Sequence, residues 1–181
     1  MNRALLATSL LLAASTGTAT AGGFVGLGVG PSANVNGTDG LIGSGGRSVR
    51  LLGGFRFGRL AIEAAITGQN LAFHDNGGDV PLAAKELSLA GKYSLPLGSN
   101  FEAFGKAGVH RTWLSSDSGV RNVGGNGLLV GAGFEYRLSA VVASGSLFVD
   151  YTHFASTLAG DQYTFDGAGV GMWMIGFTVG I

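Results

Sequence analysis

The sequence predicts an all-β fold, an eight-stranded antiparallel up-and-down barrel that spans a membrane. Three observations lead to this prediction. Eight segments alternate apolar and polar residues with a period of two, which is typical of β-strands. The connections between them alternate long and short, as expected for successive hairpins. Ten charged residues lie on the polar face of these segments, which indicates a polar interior and an apolar exterior.

Composition sets the limits on the kind of protein. The chain has 181 residues, 34 glycines, no cysteine, and equal numbers of basic and acidic residues. This length suits one domain. The absence of cysteine excludes disulfides, thiol catalysis and cysteine-based metal sites. The balanced charge argues against nucleic acid as a partner, which would require a basic surface. We expect no cofactor and no metal.

Residues 1–21 have the features of a cleaved export signal. Arg3 provides a short basic start, residues 4–14 form an apolar run, and residues 19–21 form a small-residue cleavage site. The apolar run is shorter than the roughly 20 residues of a membrane-spanning helix. The mature chain is therefore predicted to begin near Gly22, with residues 22–181 forming the barrel.

The alternation is clearest in residues 127–138, GLLVGAGFEYRL. Leu128, Val130, Phe134 and Tyr136 share one face, while the other face carries small residues and then charged ones. The other predicted strands show the same pattern, in residues 23–30, 47–58, 60–67, 86–95, 101–113, 143–152 and 172–181. Long polar connections are predicted at residues 31–46, 70–84, 115–125 and 155–169, and short turns at 58–59, 96–100 and 139–141. No segment has a helical period with capping residues.

The charges on the polar face distinguish a soluble barrel from a membrane barrel. They are Arg50, Arg56, Glu63, Glu86, Lys92, Glu102, Lys106, Glu135, Arg137 and Asp150, five positive and five negative. A soluble barrel would turn them outward with many lysines, but the chain has only three lysines. A membrane barrel turns them into its lumen. The lumen of eight strands is filled by side chains, so balanced charges predict a plug of paired charges. A narrow ion path gated by these pairs is the alternative.

Aromatic residues on the apolar face predict two girdles at the membrane interfaces. Near the short turns are Phe57, Tyr93, Phe101, Tyr136 and Phe177, and near the long connections are Trp113, Tyr151 and Trp173. In the predicted strand at residues 101–113, Arg111 is the one charge on the apolar face.

Several phrases together resemble the eight-stranded outer-membrane β-barrel family of the OmpA/OmpX and opacity-protein type. They are GGFRF at residues 53–57, GAGFEYRL at 131–138 and FVDYT at 148–152. The resemblance covers residues 22–181. It implies a monomer in the outer membrane, in contact with outer-membrane lipid and lipopolysaccharide and inserted by the outer-membrane assembly machinery. Short turns would face the periplasm and the long loops the cell exterior. The last strand ends in Ile181, where the family usually ends in phenylalanine.

The resemblance also implies a non-enzymatic role, in envelope integrity or in presenting loops whose partner the sequence does not name. Two alternatives stay open, a narrow porin-like pore and a lipid A-modifying enzyme. Some barrels of this size are lipid A deacylases with a His-Ser-Glu site on the lipid-facing wall. The candidate residues for such a site in this chain are His153 and Ser156, with Asp161 or Asp166. Those enzymes place the serine two residues after the histidine, and residue 155 is alanine. We therefore predict no catalytic site.

Overall fold

The fold was analysed in a computed structural model. It describes residues 21–31, 33–36, 41–42, 46–75, 78–115, 123–139, 144–159 and 164–181. The predicted export signal lies outside these ranges, apart from Ala21, and stays a prediction. Within the described ranges, no helix has the length and apolar character to cross a membrane.

The described residues form a closed antiparallel β-barrel. Its ten strands are β1 (Ala21–Pro31), β2 (Asn34–Asn36), β3 (Leu41–Ile42), β4 (Arg47–Phe57), β5 (Leu60–Asp75), β6 (Gly78–Pro96), β7 (Phe101–Ser115), β8 (Val123–Ser139), β9 (Ser144–Ala159) and β10 (Thr164–Gly180). β1 and β4 to β10 form the wall, in chain order. β10 returns to β1 with Gly176 opposite Gly28, which closes the sheet. The predicted eight-stranded barrel is confirmed.

The two short strands lie at the end of the barrel opposite the short turns. β2 pairs with β10 through Val35 and Val170, and β3 pairs with β5 through Leu41 and Phe73. We call this the loop end, and we call the end with the short turns at residues 58–59 and 97–100 the turn end. At the turn end, Gly58 adopts a φ of 62°, which a glycine accepts without strain.

Two of the predicted long loops are wrong, because much of each is strand. β5 continues to Asp75 and β6 begins at Gly78, so most of residues 70–84 form a hairpin. In the predicted loop at residues 155–169, β9 likewise continues to Ala159 and β10 begins at Thr164. The apolar alternation fades in these segments, but the backbone hydrogen-bond ladder continues without it. The six strands β5 to β10 have 15–19 residues and thus exceed the roughly 9–11 needed to cross a bilayer.

The two faces of the wall follow the predicted alternation. On β8, Leu128, Val130 and Phe134 are exposed on the outside, while Leu129 and Glu135 are buried inside. Every strand of the wall repeats this arrangement. The exposed large apolar side chains of the barrel keep 38–66% of their accessible surface, and the terminal Ile181 keeps 82%. A continuous apolar surface of this kind contacts another apolar phase rather than water.

Inward glycines make room for inward rings. A Cβ atom at Gly176 would lie 2.5 Å from the ring of Phe148, and one at Gly133 would lie 2.7 Å from the ring of Phe104. Both rings are buried in the lumen. Glycine on one strand therefore allows a phenylalanine from another to cross the narrow interior.

The exposed apolar face yields a depth-dependent prediction. Val130→Arg, in the middle of β8, should lower the free energy of unfolding by about 2–4 kcal/mol, because the charge enters the hydrocarbon. Leu138→Arg, near the turn end of the same strand, should cost about 0–1 kcal/mol, because the charge reaches the interface. Urea unfolding of protein folded in lipid vesicles measures both. Equal losses would contradict the placement of the apolar face.

Candidate functional site: the barrel interior

The interior is organised in layers that alternate between charged and apolar. Starting from the turn end, β4, β7 and β9 present inward side chains in the same order. The first layer contains Arg56, Glu102 and Ser146, the second Leu52, Phe104 and Phe148, and the third Arg50, Lys106 and Asp150. The ten predicted lumen charges all lie on the inward face, and salt bridges divide nine of them into two networks.

The first network, here called the turn-end network, comprises Arg56, Lys92, Glu102, Glu135 and Arg137. Glu135 is its centre. Arg56 Nη2 donates to both carboxylate oxygens of Glu135 at 3.0 Å, and Lys92 Nζ donates at 2.6 Å. Glu102 accepts from Arg56 Nη1 at 3.3 Å and pairs with Arg137 Nη2 at 2.9 Å. Arg137 is the most exposed member, since its side chain retains 38% of its accessible surface.

The second network, the mid-barrel network, comprises Arg50, Glu63, Lys106 and Asp150. Arg50 Nη1 donates to both oxygens of Asp150, at 3.0 and 3.3 Å. Lys106 Nζ pairs with Asp150 and lies 3.6 Å from Glu63 Oε1. All four side chains are at most 8% exposed. The network links four different strands, β4, β5, β7 and β9, across the lumen.

Hydroxyl groups complete both networks. Ser146 Oγ donates to Glu135 at 2.5 Å, and Thr152 Oγ1 donates to Asp150 at 3.4 Å. Thr67 Oγ1 accepts from Arg50 Nε at 3.3 Å. The alternation placed these hydroxyl residues on the inward face, but nothing in the sequence marked them as partners of the ions.

An apolar layer lies between the two networks on part of the barrel wall, whereas Lys92 and Lys106 are directly opposite each other on β6 and β7. Leu52, Phe148 and Met174 belong to one buried cluster, and Phe104 lies at the same level of the barrel. The layer also contacts the charges, since Lys92 Nζ lies 4.1 Å from the centroid of the Phe104 ring. This contact is a cation–π geometry. These buried side chains therefore narrow the lumen between the charged layers.

Glu86 is the predicted lumen charge that stands outside both networks. It is 3% exposed, and among the described residues it forms no salt bridge. Its Oε1 atom has no hydrogen-bond partner, and the same holds for Oε1 of Gln69 on the adjacent strand β5. The turn-end network has one excess positive charge, and the mid-barrel network is balanced. Glu86 is therefore a buried carboxyl group without a salt-bridge partner among the described residues.

Two cavities inside the barrel, both lined by described residues, differ widely in volume. A cavity of about 440 Å³ opens at the turn end, beside Arg56, Lys92 and Arg137. The cavity around the mid-barrel network, beside Arg50, Glu63 and Lys106, has only about 10 Å³. That volume is about the smallest that holds one water molecule. This cavity, lined by described residues, has no room for a hydrated ion.

The histidine and serine considered for catalysis lie on opposite faces of β9. His153 is on the outward face, whereas Ser156 is buried in the lumen. Asp161 and the side chain of Asp166 lie outside the described residues. Ser156 instead contacts His110, with 3.2 Å between Oγ and Nε2, and His110 Nδ1 is 3.2 Å from Thr112 Oγ1. The inward position of His110 followed from alternation, but its contact with Ser156 did not.

The predicted girdle aromatics are on the outward face of the barrel. Six of them are exposed, namely Phe57, Phe101, Trp113, Tyr136, Trp173 and Phe177, and Tyr93 and Tyr151 are half-buried. Tyr151 and Trp173 pack against each other with ring centroids 5.1 Å apart. Among the side chains that the structure describes, no three His, Asp or Glu residues are arranged to hold a metal ion.

Comparison with known proteins identifies the architecture. No protein-family model matches the sequence, and no curated protein matches it. Solved structures do match. Neisserial surface protein A (NspA) superposes with a TM-score of 0.70 at 17% identity, covering 89% of this chain and 99% of that one. Ail, the attachment invasion locus protein of Yersinia pestis, gives 0.56 at 15% identity and covers 88% and 99%.

A third match, the outer membrane protein OprG from Pseudomonas aeruginosa, has a TM-score of 0.52 at 18% identity. It covers 88% of this chain and 96% of OprG. At these identities the likeness is one of fold. The chain has the fold of the small eight-stranded outer-membrane β-barrel proteins.

Proposed function

We propose that this protein is an outer-membrane β-barrel with a closed lumen, which contributes to envelope integrity and presents its loop end to the cell exterior. The observation that carries the proposal is the layered interior. Two salt-bridge networks and an apolar layer occupy the lumen, and the cavity beside Arg50, Glu63 and Lys106 at its middle has about 10 Å³. The protein is thus a rigid anchor rather than a conduit.

The exterior supports the membrane location. Apolar side chains cover the wall, aromatic side chains face outward with them, and the sheet has no free edge. Lipid provides no hydrogen bonds for unpaired strands, so a closed barrel is the β-structure that fits this environment. Outer-membrane lipid and lipopolysaccharide are then its immediate partners, and the outer-membrane assembly machinery inserts it. Because one chain closes the barrel without a free edge, the proposed protein is a monomer that needs no partner strand.

The same geometry argues against the pore. An ion that passed through the lumen would have to displace both the Phe148 layer and the salt bridges of Asp150 and Glu135. Separating one buried ion from its partners costs about 3–5 kcal/mol. A path that needs several such separations at once does not conduct at a useful rate.

The geometry also argues against a lipid A-modifying enzyme. Catalysis on a membrane lipid would need a nucleophile and a base together on the outer wall. His153 is on that wall, but Ser156 is inside the barrel. The histidine that Ser156 does contact, His110, is 4% exposed. We therefore assign no enzymatic activity.

Planar-bilayer recording tests the closed lumen. Purified protein should first migrate more slowly on a gel after boiling than before it, a difference that marks a folded barrel. We then expect no unitary conductance in 1 M salt, because the mid-barrel cavity does not hold a hydrated ion. A general porin in the same bilayers is the control for the recording. Reproducible unitary steps from the folded protein would overturn the proposal in favour of the pore.

Two isosteric substitutions test whether the salt bridges of Glu135 stabilise the barrel. Glu135→Gln should lower the free energy of unfolding by about 3 kcal/mol, because Arg56 and Lys92 lose their shared carboxylate. Glu86→Gln is the matched control. It should change stability by less than about 1 kcal/mol, because Glu86 has no salt bridge among the described residues.

Urea unfolding in lipid vesicles compares the two variants with the wild type. Equal effects of the two substitutions would show that the salt bridges of Glu135 do not stabilise the barrel.

A further inference from the structure

The outward face of the barrel differs from the interior in the sign of its charges. Of the side chains that the structure describes, every acidic one points into the lumen. Three cations of the wall point outward, namely Arg47, Lys85 and Arg111, and all three are exposed. Each lies in the part of its strand nearer the loop end. The wall thus has a cationic region on one side of its apolar belt.

Two of these cations flank an exposed tryptophan. Lys85 on β6 is directly opposite Trp113 on β7, and Leu87 is opposite Arg111, so that Lys85 and Arg111 are diagonal neighbours. Such diagonal neighbours lie within reach of one another's long side chains. The guanidinium carbon of Arg111 is 5.2 Å from the centroid of the Trp113 ring. Trp113 therefore holds Arg111 close to the surface of the wall.

Gly68 forms a shallow floor on the other side of Lys85. It is opposite Lys85 on one neighbouring strand and opposite Val49 on the other. A Cβ atom built on Gly68 meets nothing within 4 Å. Arg47 is the next outward residue of β4 toward the loop end. We call Arg47, Gly68, Lys85, Arg111 and Trp113 the basic patch.

The cations of the patch lack anionic partners within the described part of the chain. None of the three forms a salt bridge there, whereas each cation of the lumen does. A charge on a lipid-facing wall is costly unless it reaches the interface, where long side chains extend toward polar headgroups. Tryptophan is enriched at the same depth. The guanidinium of Arg111 presents paired donors that fit a phosphate.

We propose that the basic patch binds the phosphate groups of a lipid headgroup in the leaflet at the loop end. This inference rests on the proposed function, because it requires that the wall contacts lipid and that the loop end lies at one membrane surface. Phosphate on a lipid and free phosphate share the same charge chemistry. The apolar residues directly below the patch, such as Leu51, Leu87 and Val109, favour the lipid, since they would contact its acyl chains.

A fluorescence titration tests the patch. The chain has two tryptophans, so a Trp173→Phe background leaves Trp113 as the reporter. Lipid A, which is a phosphorylated glycolipid, is titrated into the folded protein in nonionic maltoside micelles. In this background, Lys85→Gln with Arg111→Gln should raise the midpoint about thirtyfold, as expected for two interfacial cations of about fivefold each. Each substitution alone should give about fivefold.

Arg59→Gln is the control, since it removes a cation at the turn end, away from the patch. Its midpoint should equal that of the parent protein. Inorganic phosphate at millimolar concentration should neither change the emission nor displace lipid A. Equal midpoints for the double variant and the parent would overturn the proposal, and so would saturation by inorganic phosphate.

Gel mobility and bilayer recording on the same samples separate this inference from the proposed function. If the protein is folded and does not conduct, and both substitutions together leave the lipid A midpoint unchanged, phosphate binding by the basic patch is refuted and the closed lumen is not. A conducting barrel would instead refute the closed lumen and leave the titration to decide the patch.

Discussion

The hydrogen-bonding requirement of the backbone in lipid is the constraint on which the rest of this structure depends. Hydrocarbon offers no partner to a free strand edge, so the sheet must close, as it does where β10 meets β1. Eight strands enclose a space just wide enough for side chains. The interior is therefore a packed core, but a core made from the polar face of every strand.

A core of this kind is stable only if its charges find partners. The salt-bridge networks meet this requirement with arginines that each place one guanidinium nitrogen between the two oxygens of a carboxylate, and with carboxylates that accept from several donors. Asp150 and Glu135 are the centres, each in contact with two cations. The buried rings of Phe104 and Phe148 lie in the apolar layer between the two centres. Closure of the lumen and stability of the barrel then have the same physical origin.

The distribution of charge also makes the loop end of the outer wall different from the turn end. Because the described acidic side chains of the strands are all inside, the outward cations are left without anionic partners in the described part of the wall. These cations lie toward the loop end, close to Trp113. The barrel thus distinguishes its two ends by charge as well as by the length of the connections.

The sequence alone predicted the barrel and the face of each strand residue, because a period of two is a local property of the chain. It placed Arg50 and Asp150 in the lumen but could not pair them, since they are 100 residues apart and their contact depends on the barrel's register. It also could not show that Glu86 would stand apart from the networks. The sequence does not reveal the strands within residues 70–84, because backbone pairing continues there after the apolar alternation has ended.

The most direct test of the closed, charge-paired lumen uses the three lysines of the unmodified chain. A water-soluble amine-acetylating reagent is applied to the folded protein in micelles, and mass spectrometry follows each lysine over time. Lys85 is exposed on the wall, whereas Lys106 is 7% exposed and bound to Asp150 and Glu63. The account predicts that Lys85 is acetylated and that Lys106 stays unmodified until the barrel is unfolded. Acetylation of Lys106 as fast as Lys85 would show an open, hydrated lumen and contradict the account.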